Sequence, residues 1–160
     1  MAAPETWPRP IDHDTALALL TQATSLHCTF PEWTGYVFDT RKRTESKDVT
    51  VLSFDAVNLR ARTARTISPS TTADAAVMSN AAGLHFIEEA GVGNMFFTSV
   101  FADGEQVSLV EARFHATRSS HLLIPRGYTI GGHAVTRTGP AVSTIVGWCR
   151  PTGFAEDPKQ

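Results

Sequence analysis

Apolar positions near the start of the chain recur at helical spacing. The residues that share one helical face are Ala16, Leu19, Leu20 and Ala23. Asp12 or Asp14 can cap the first turn, because a short carboxylate side chain accepts hydrogen bonds from the free backbone N–H groups there. This pattern predicts one amphipathic helix over about residues 13–25.

The chain then changes to the short period that is typical of strands. Segments rich in β-branched and aromatic residues are separated by Gly, Pro, Asp or Ser. Eight segments have this composition: residues 32–40, 48–59, 59–67, 94–102, 105–116, 121–131, 132–139 and 141–149. So many short strands predict a mainly β fold with one N-terminal α-helix, either an antiparallel, jelly-roll-like β-sandwich or a closed β-barrel.

Local signals predict how these strands are connected. Asp103-Gly104 favours a tight hairpin turn, because both residue types tolerate the positive φ angles of a primed turn. Gly131-Gly132 offers a second two-residue turn, and Gly127 is placed like the glycine of a β-bulge. Residues 41–48 carry six charges in eight positions, which indicates a solvated loop between two strands.

The chain is expected to form one domain over residues 11–150. Residues 1–10 contain three prolines around Trp7 and should run extended as an N-terminal arm, while residues 151–160 form a C-terminal tail. Residues 68–93 break the strand rhythm. We expect a long excursion there, with a short helix or one more strand inside it, that is either functional or flexible.

Composition adds an expectation about the surface. Charged residues make up 19% of the chain, and its only lysines are Lys42, Lys47 and Lys159. A surface of short side chains loses little rotamer entropy when it is covered, so we expect a homo-oligomer or contacts with other protein subunits. The net charge of −2 and the pI near 6.3 argue against sequence-specific nucleic-acid binding.

The expected compartment of the protein decides how its cysteines are interpreted. No apolar run is long enough for a membrane span, and the N-terminus lacks the pattern of a signal peptide. We therefore expect a soluble protein without membrane contact that is cytoplasmic or particle-associated. Cys28 and Cys149 have no metal-ligand spacing. In a cytoplasmic setting they are expected as two buried thiols; the alternative is a disulfide that closes a long loop.

The segment HLLIPRGYTIGGHAV, residues 121–135, concentrates histidine, glycine and arginine. Its histidines lack metal-ligand spacing, so we interpret it as two strands and their turn, and we predict no metal and no cofactor. The catalytic candidates of the chain are His115, Glu111, Arg113, His121 and His133, with His115 and His121 expected to meet across a hairpin. No nucleophile elbow or phosphate-binding loop accompanies them, so enzymatic activity is not favoured.

The segment HFIEE, residues 85–89, can place a histidine and carboxylates on one helical face. His85, Glu88 and Glu89 would then lie at spacings of three and four residues. One such helix does not supply a full metal site, so a solvated acidic face is the expected structure.

Arginines recur in LRARTARTI, residues 59–67. On an unbroken strand Arg60 and Arg62 project from one side and Arg65 from the other. Local ion pairing with a residue such as Asp55 is the plainer expectation, and the alternative is that the pair on one side binds an anion or the carboxylates of another subunit.

These observations favour a non-catalytic structural or assembly subunit, forming homo-oligomers or part of a larger particle such as a virion. The binding candidates for that function are Arg60, Arg62, Trp33, Tyr36 and Trp148. The alternative is a β-barrel that binds a small molecule in its mouth, and a small β-barrel enzyme is less favoured. The aromatic residues expected to line such a mouth are Trp33, Tyr36, Phe38, Phe54, Phe97, Phe101 and Trp148.

Overall fold

The computed structural model describes residues 6–89, 94–124, 127, 129–130, 133–134 and 139–156. Its first elements are β1 (Arg9–Ile11), α1 (His13–Gln22), β2 (Ala23–Val37), β3 (Lys42–Ser46), β4 (Thr50–Asn58), β5 (Thr63–Ile67), β6 (Thr72–Asn80) and β7 (Gly83–Glu89). The chain continues with β8 (Met95–Gln106), β9 (Ala112–Ile124), β10 (Thr129–Ile130), β11 (His133–Ala134) and β12 (Gly139–Phe154). In these described ranges no helix has the length and apolar character needed to cross a membrane.

Eight antiparallel strands close into a barrel. Their order around the wall is β8, β7, β6, β5, β4, β2, β12 and β9, and β9 pairs back onto β8. Two short strands extend this wall, since β1 pairs with the end of β8 and β3 with the second half of β2. The closed-barrel form of the predicted fold, with its N-terminal helix, is confirmed.

The helix α1 begins where the sequence predicts and covers one end of the barrel. The Asp12 carboxylate accepts hydrogen bonds from the backbone N–H and the hydroxyl of Thr15, at 3.0 and 2.6 Å. These bonds hold the pKa of Asp12 below its usual value, the hydroxyl bond being the larger cause. Ala16 and Leu20 are fully buried against the barrel. The helix ends at Gln22 rather than near residue 25, because Ala23 already pairs with the end of β12.

Apolar side chains fill the barrel interior next to α1. Alternate residues of each strand point inward, and the rings of Phe54 and Phe86 stack with their centroids 3.8 Å apart. Leu26, Leu84 and Phe114 are fully buried in the same cluster. Burial of each such side chain contributes roughly 1.5–3 kcal/mol. This end of the barrel is therefore a packed core.

The longest strand pair, β2 with β12, carries the only two cysteines. Cys149 lies directly opposite Cys28, and the two form a disulfide between residues 121 positions apart. The expected pair of thiols is therefore wrong. Their separation in sequence hides their proximity, because the last strand returns to pair with the first long strand of the barrel.

A register shift bends the same strand pair. The pairing moves from Val146 opposite Glu32 to Trp148 opposite Thr29, with Gly147 between them. A Cβ atom on Gly147 would lie 2.0 Å from the Thr29 carbonyl oxygen. Only glycine permits this close approach of the two backbones, and the bend helps to curve the wall into a barrel.

The excursion expected over residues 68–93 contains two barrel strands instead. They are β6 and β7, paired in register from Ala75 opposite Glu88 to Asn80 opposite Gly83. Small residues of low strand preference, such as Ala73 and Ala75, are accepted here because their backbones complete the ladder to β5. The expectation of one strand or a short helix was therefore wrong.

The hairpin turn expected at Asp103-Gly104 is also wrong. Strand β8 continues through both residues, and the reversal follows after Gln106, where the backbone N–H of Val107 donates to the carbonyl of Glu111. Gly104 is needed for packing, because a Cβ there would lie 2.3 Å from the Arg113 carbonyl oxygen on β9. A glycine selected for close strand contact resembles a turn glycine in the sequence.

Two further segments differ from expectation in detail. Residues 41–48 contain strand β3, whose Thr44 is buried although its neighbours are exposed, so the loop prediction was wrong. Beyond β9, the short strands β10 and β11 pair Ile130 with His133, which agrees with the predicted turn, although Gly131 and Gly132 lie outside the described residues. Gly127, between β9 and β10, has a φ of 91°.

Candidate functional site

A polar site lies inside the barrel, toward the end away from α1. Strand pairing brings its residues side by side: Glu88 lies opposite Phe96, and Phe96 opposite Ser120. In the next layer toward α1, Thr98 lies opposite Arg118. These inward positions continue the alternation that builds the apolar core, so polar groups here face the interior.

Arg118 is the centre of this site. Its Nη1 donates to Glu88 Oε2 at 2.5 Å and to Thr98 Oγ1 at 2.7 Å, and its Nη2 donates to Glu88 Oε1 at 3.2 Å. The Arg118 and Glu88 side chains are only 10% and 5% exposed. The guanidinium carbon also lies 4.6 Å from the centroid of the Phe96 ring, a cation–π contact. The pair is therefore held rigidly in a low-dielectric environment.

Two cavities share Arg118 and Phe96 as a common wall. The first, of about 500 Å³, is named the Thr66 cavity and is lined by Thr66, Ser68, Ser70, Thr71, Ala73, Glu88, Phe96 and Arg118. The second, of about 450 Å³, is named the Ser143 cavity and is lined by Gly35, Tyr36, Val37, Thr50, Phe96, Arg118, Ser120, Leu122, Thr129, Ala141, Val142, Ser143 and Ile145. Both volumes lie in the range of small-molecule sites.

Several polar groups at these cavities keep unused hydrogen-bonding capacity. The three bonds of Arg118 to described residues leave two of its five N–H donors, on Nε and Nη2, without a partner among those residues. The Thr66 hydroxyl is buried and has no hydrogen-bond partner in the described part of the chain. The hydroxyl groups of Ser120 and Ser143 form a hydrogen bond with each other. Buried unpaired donors are costly, so a bound acceptor at this place would stabilise the protein.

The catalytic candidates whose side chains are described lie outside this polar site. His115 and His121 are both on β9, so they do not meet across a hairpin, and that prediction was wrong. On the outer wall His115 stacks on Trp148 with ring centroids 4.0 Å apart, while His121 packs edge-on against Phe97 at 5.2 Å. A surface groove of about 650 Å³ runs past His115 and Trp148.

The charged candidates near His115 make ion pairs. Arg113 pairs with Glu105 and lies over the Trp148 ring, with its guanidinium carbon 4.3 Å from the centroid. Glu111 lies in the turn before β9 and approaches Arg150 at 3.6 Å.

His133 lies in β11, and its side chain is outside the described residues. Among the described residues no three His, Cys, Asp or Glu side chains cluster as metal ligands do.

The arginine row is not on an unbroken strand, which corrects the prediction. β4 ends at Asn58, and the exposed residues Arg60 and Arg62 lie in the turn before β5. Arg62 has a φ of 59°, which a strand does not allow. Arg65 on β5 pairs with Asp55 at 2.9 Å, and this hydrogen bond is the main cause that lowers the pKa of Asp55.

The predicted aromatic lining is distributed over both faces of the barrel wall. Phe54 belongs to the packed core, and Tyr36 lines the Ser143 cavity. Phe97, Phe101 and Trp148 alternate with the inward residues and lie on the outer face; Phe38 is largely exposed, and the side chain of Trp33 is outside the described residues. The aromatic side chain at the common wall is Phe96, which the sequence reasoning did not select.

The segment HFIEE forms strand β7 and not a helix, so the predicted solvated acidic face was wrong. Glu88 points inward to Arg118, whereas His85 shares hydrogen bonds with Ser99 and Asn80 at 2.8 and 2.9 Å on the other face.

One signal for the site was present in the sequence. In RFHATRSS, residues 113–120, an arginine occupies the same alternating face as Phe114 and Ala116.

Comparison with known proteins assigns no family to the chain. No protein-family model matches it, and neither the curated proteins nor the solved structures give a match. The feature of this protein that best supports a function is therefore the polar interior of its barrel.

Proposed function

We propose that this protein is a non-catalytic binding protein that holds a small, mainly apolar molecule inside the barrel, against Arg118. The observation that carries this proposal is a cavity of about 500 Å³ next to a buried guanidinium with unused donors. A barrel that only needed a stable core would fill this space with side chains, as it does next to α1.

The lining supports a ligand with one polar end. The Ser143 cavity is bordered by the apolar residues Val37, Leu122 and Ile145, whereas six of the eight residues that line the Thr66 cavity are polar or charged. Arg118 lies between these two regions. Small-molecule sites in proteins combine such apolar walls with few, well-placed polar groups that fix the orientation of the ligand.

The architecture supports binding without chemistry. Barrels of eight strands commonly enclose either side chains or one small ligand, and here one end is packed while the other is hollow. Both oxygens of Glu88, the carboxylate in this site, accept from Arg118, so this group is engaged in structure. No described lining residue of the Thr66 cavity is a histidine, cysteine or lysine.

Filling the Thr66 cavity is expected to abolish ligand binding without unfolding the barrel. Ala73 lines the cavity, so Ala73→Trp places an indole in the space that the polar end of the ligand would occupy. Native mass spectrometry of gently purified protein should show a small molecule on the wild type and none on Ala73→Trp. Ala76→Trp is the matched control, because Ala76 is exposed on the same strand.

Two outcomes would contradict the proposal. One is an empty wild-type protein that also fails to bind added hydrophobic probes in calorimetry. The other is a folded Ala73→Trp variant that retains the molecule at the wild-type level.

A second candidate is the assembly subunit that the composition favours. Leu109 and Val110, in the turn between β8 and β9, are 73% and 96% exposed, and Phe154 is near them at a shallow cavity of about 230 Å³. Contiguous exposed apolar residues mark protein contacts in many soluble proteins. The Cys28–Cys149 disulfide favours an oxidising setting, such as a particle surface, over the cytoplasm.

If that surface mediates assembly, light scattering should show a mass that rises with concentration. Val110→Asp should then reduce the association, because it places a charge in the contact. Val49→Asp, at another exposed apolar position, is the matched control. A monomer of constant mass at all concentrations would exclude this candidate.

A further inference from the structure

We infer that the barrel interior selects an uncharged ligand with a carbonyl acceptor, such as an ester or a ketone with an apolar chain, and rejects the corresponding carboxylate. This inference rests on the proposed function, because it defines which molecule the same cavities accept. It follows from the balance of charges, donors and apolar walls around Arg118.

The charges among the described lining residues of the two cavities balance each other. Arg118 and Glu88 are the charged residues among the described lining of the Thr66 cavity, and Arg118 is the charged residue of the Ser143 cavity. Their bidentate pair leaves no net charge. A carboxylate ligand would bring a second buried anion next to Glu88 without a second cation, and an ammonium group would be buried next to Arg118 without a second anion.

The balance of hydrogen-bonding groups favours an acceptor on the ligand. Glu88 has both oxygens engaged by Arg118, and Thr98 Oγ1 already accepts from it. Among the described residues, the donors of Arg118 that have no partner are on Nε and Nη2. A carbonyl oxygen accepts two such bonds and carries no net charge.

The apolar walls indicate where the rest of the ligand lies. With its carbonyl at Arg118, an alkyl chain can extend along Phe96 toward Val37 and Ile145 in the Ser143 cavity. These side chains are apolar and line the same cavity as Arg118, and Ile145 lies directly opposite Arg118 in the strand pairing. The polar end and the chain of one molecule therefore match the two parts of the interior.

Calorimetry on the wild-type protein tests this inference with three probes that carry the same medium-length alkyl chain. They are the methyl ester, the free fatty acid and the primary amine, all at neutral pH. We expect the ester to bind about tenfold or more tightly than either charged probe, because each charged probe introduces an uncompensated buried charge.

The outcomes separate this inference from the proposed function. If the acid or the amine binds as tightly as the ester, the neutral selectivity is wrong while ligand binding in the barrel stands. If none of the three probes binds, both the inference and the proposed function are wrong.

A variant should invert the selectivity. Glu88→Gln leaves the Arg118 cation without its carboxylate, so the acid should gain at least about tenfold over the ester relative to the wild type. The acid should also raise the melting temperature of this variant more than the ester does. Glu89→Gln is the control, since Glu89 is the exposed neighbour on β7, and it should leave the preference unchanged.

An unchanged preference in folded Glu88→Gln would contradict the inference. If this variant does not fold, Glu88→Gln together with Arg118→Gln removes both charges, and the neutral interior should then still prefer the ester. The three-probe comparison on the wild type decides the inference independently of both variants.

Discussion

Arg118→Met is expected to lower the free energy of unfolding by about 3–5 kcal/mol, because it leaves the Glu88 carboxylate buried without its partner. Glu88 is 5% exposed, and both of its oxygens accept from Arg118. Methionine retains much of the side-chain volume, so the expected loss comes mainly from the unpaired charge and not from a new hole.

The double replacement distinguishes this cause from a packing defect. Arg118→Met combined with Glu88→Leu removes both charges and fills the space with apolar groups, so most of the lost stability should return. Urea unfolding of the wild type, both single variants and the double variant measures the coupling. If the double variant is as unstable as the sum of the single variants, the ion pair is not the source of the effect.

Arg113→Met is the matched control on the same strand. Arg113 pairs with Glu105 on the outer face, where its side chain is 40% exposed. Its loss should cost about 1 kcal/mol or less, since solvent screens the pair. An equal effect at Arg113 and Arg118 would show that burial does not determine the outcome.

Removal of the disulfide by Cys28→Ala with Cys149→Ala is expected to have a comparable effect. The bond closes a loop between residues 121 positions apart. In the chain-entropy model a loop of this length stabilises the folded state by about 5 kcal/mol, while measured losses in small proteins span about 2–5 kcal/mol. Both cysteines are fully buried, so the two alanines also remove apolar volume from the core.

Reduction gives an independent measurement of the same bond. Because both sulfur atoms are buried, a reductant should attack them rapidly only when the protein is unfolded. We expect the urea midpoint of wild-type protein to fall after it has been unfolded in dithiothreitol and refolded without oxidation. It should then lie between the midpoints of the oxidised protein and of the double alanine variant, because the reduced thiols keep the core volume that alanine loses. A midpoint equal to that of the oxidised protein would contradict a stabilising disulfide.

The disulfide and the buried ion pair stabilise different ends of the barrel. The disulfide joins β2 to β12 near the packed core, whereas the ion pair lies at the hollow end. A protein that needed only stability would gain little from a buried ion pair, because apolar residues of similar volume are often as stabilising. This contrast supports a role for Arg118 in ligand selection.

Local features of the chain could be predicted because their causes lie within a few residues. The helix begins after Asp12 since that carboxylate accepts hydrogen bonds from Thr15, three positions ahead. Segments rich in β-branched and aromatic residues likewise indicated β4 and β12, because such side chains favour the extended backbone of a strand.

The site itself depends on contacts between distant residues. Glu88 and Arg118 are separated by 30 positions, and Cys28 and Cys149 by 121. Which strands become neighbours is set by closure of the whole barrel, and a register change of one residue would turn Glu88 outward. Amino-acid pattern therefore specified the helix, several of the strands and a mainly β fold class. Ring closure and register placed the charged pair, the disulfide and the cavities, because long-range pairing has no local signal.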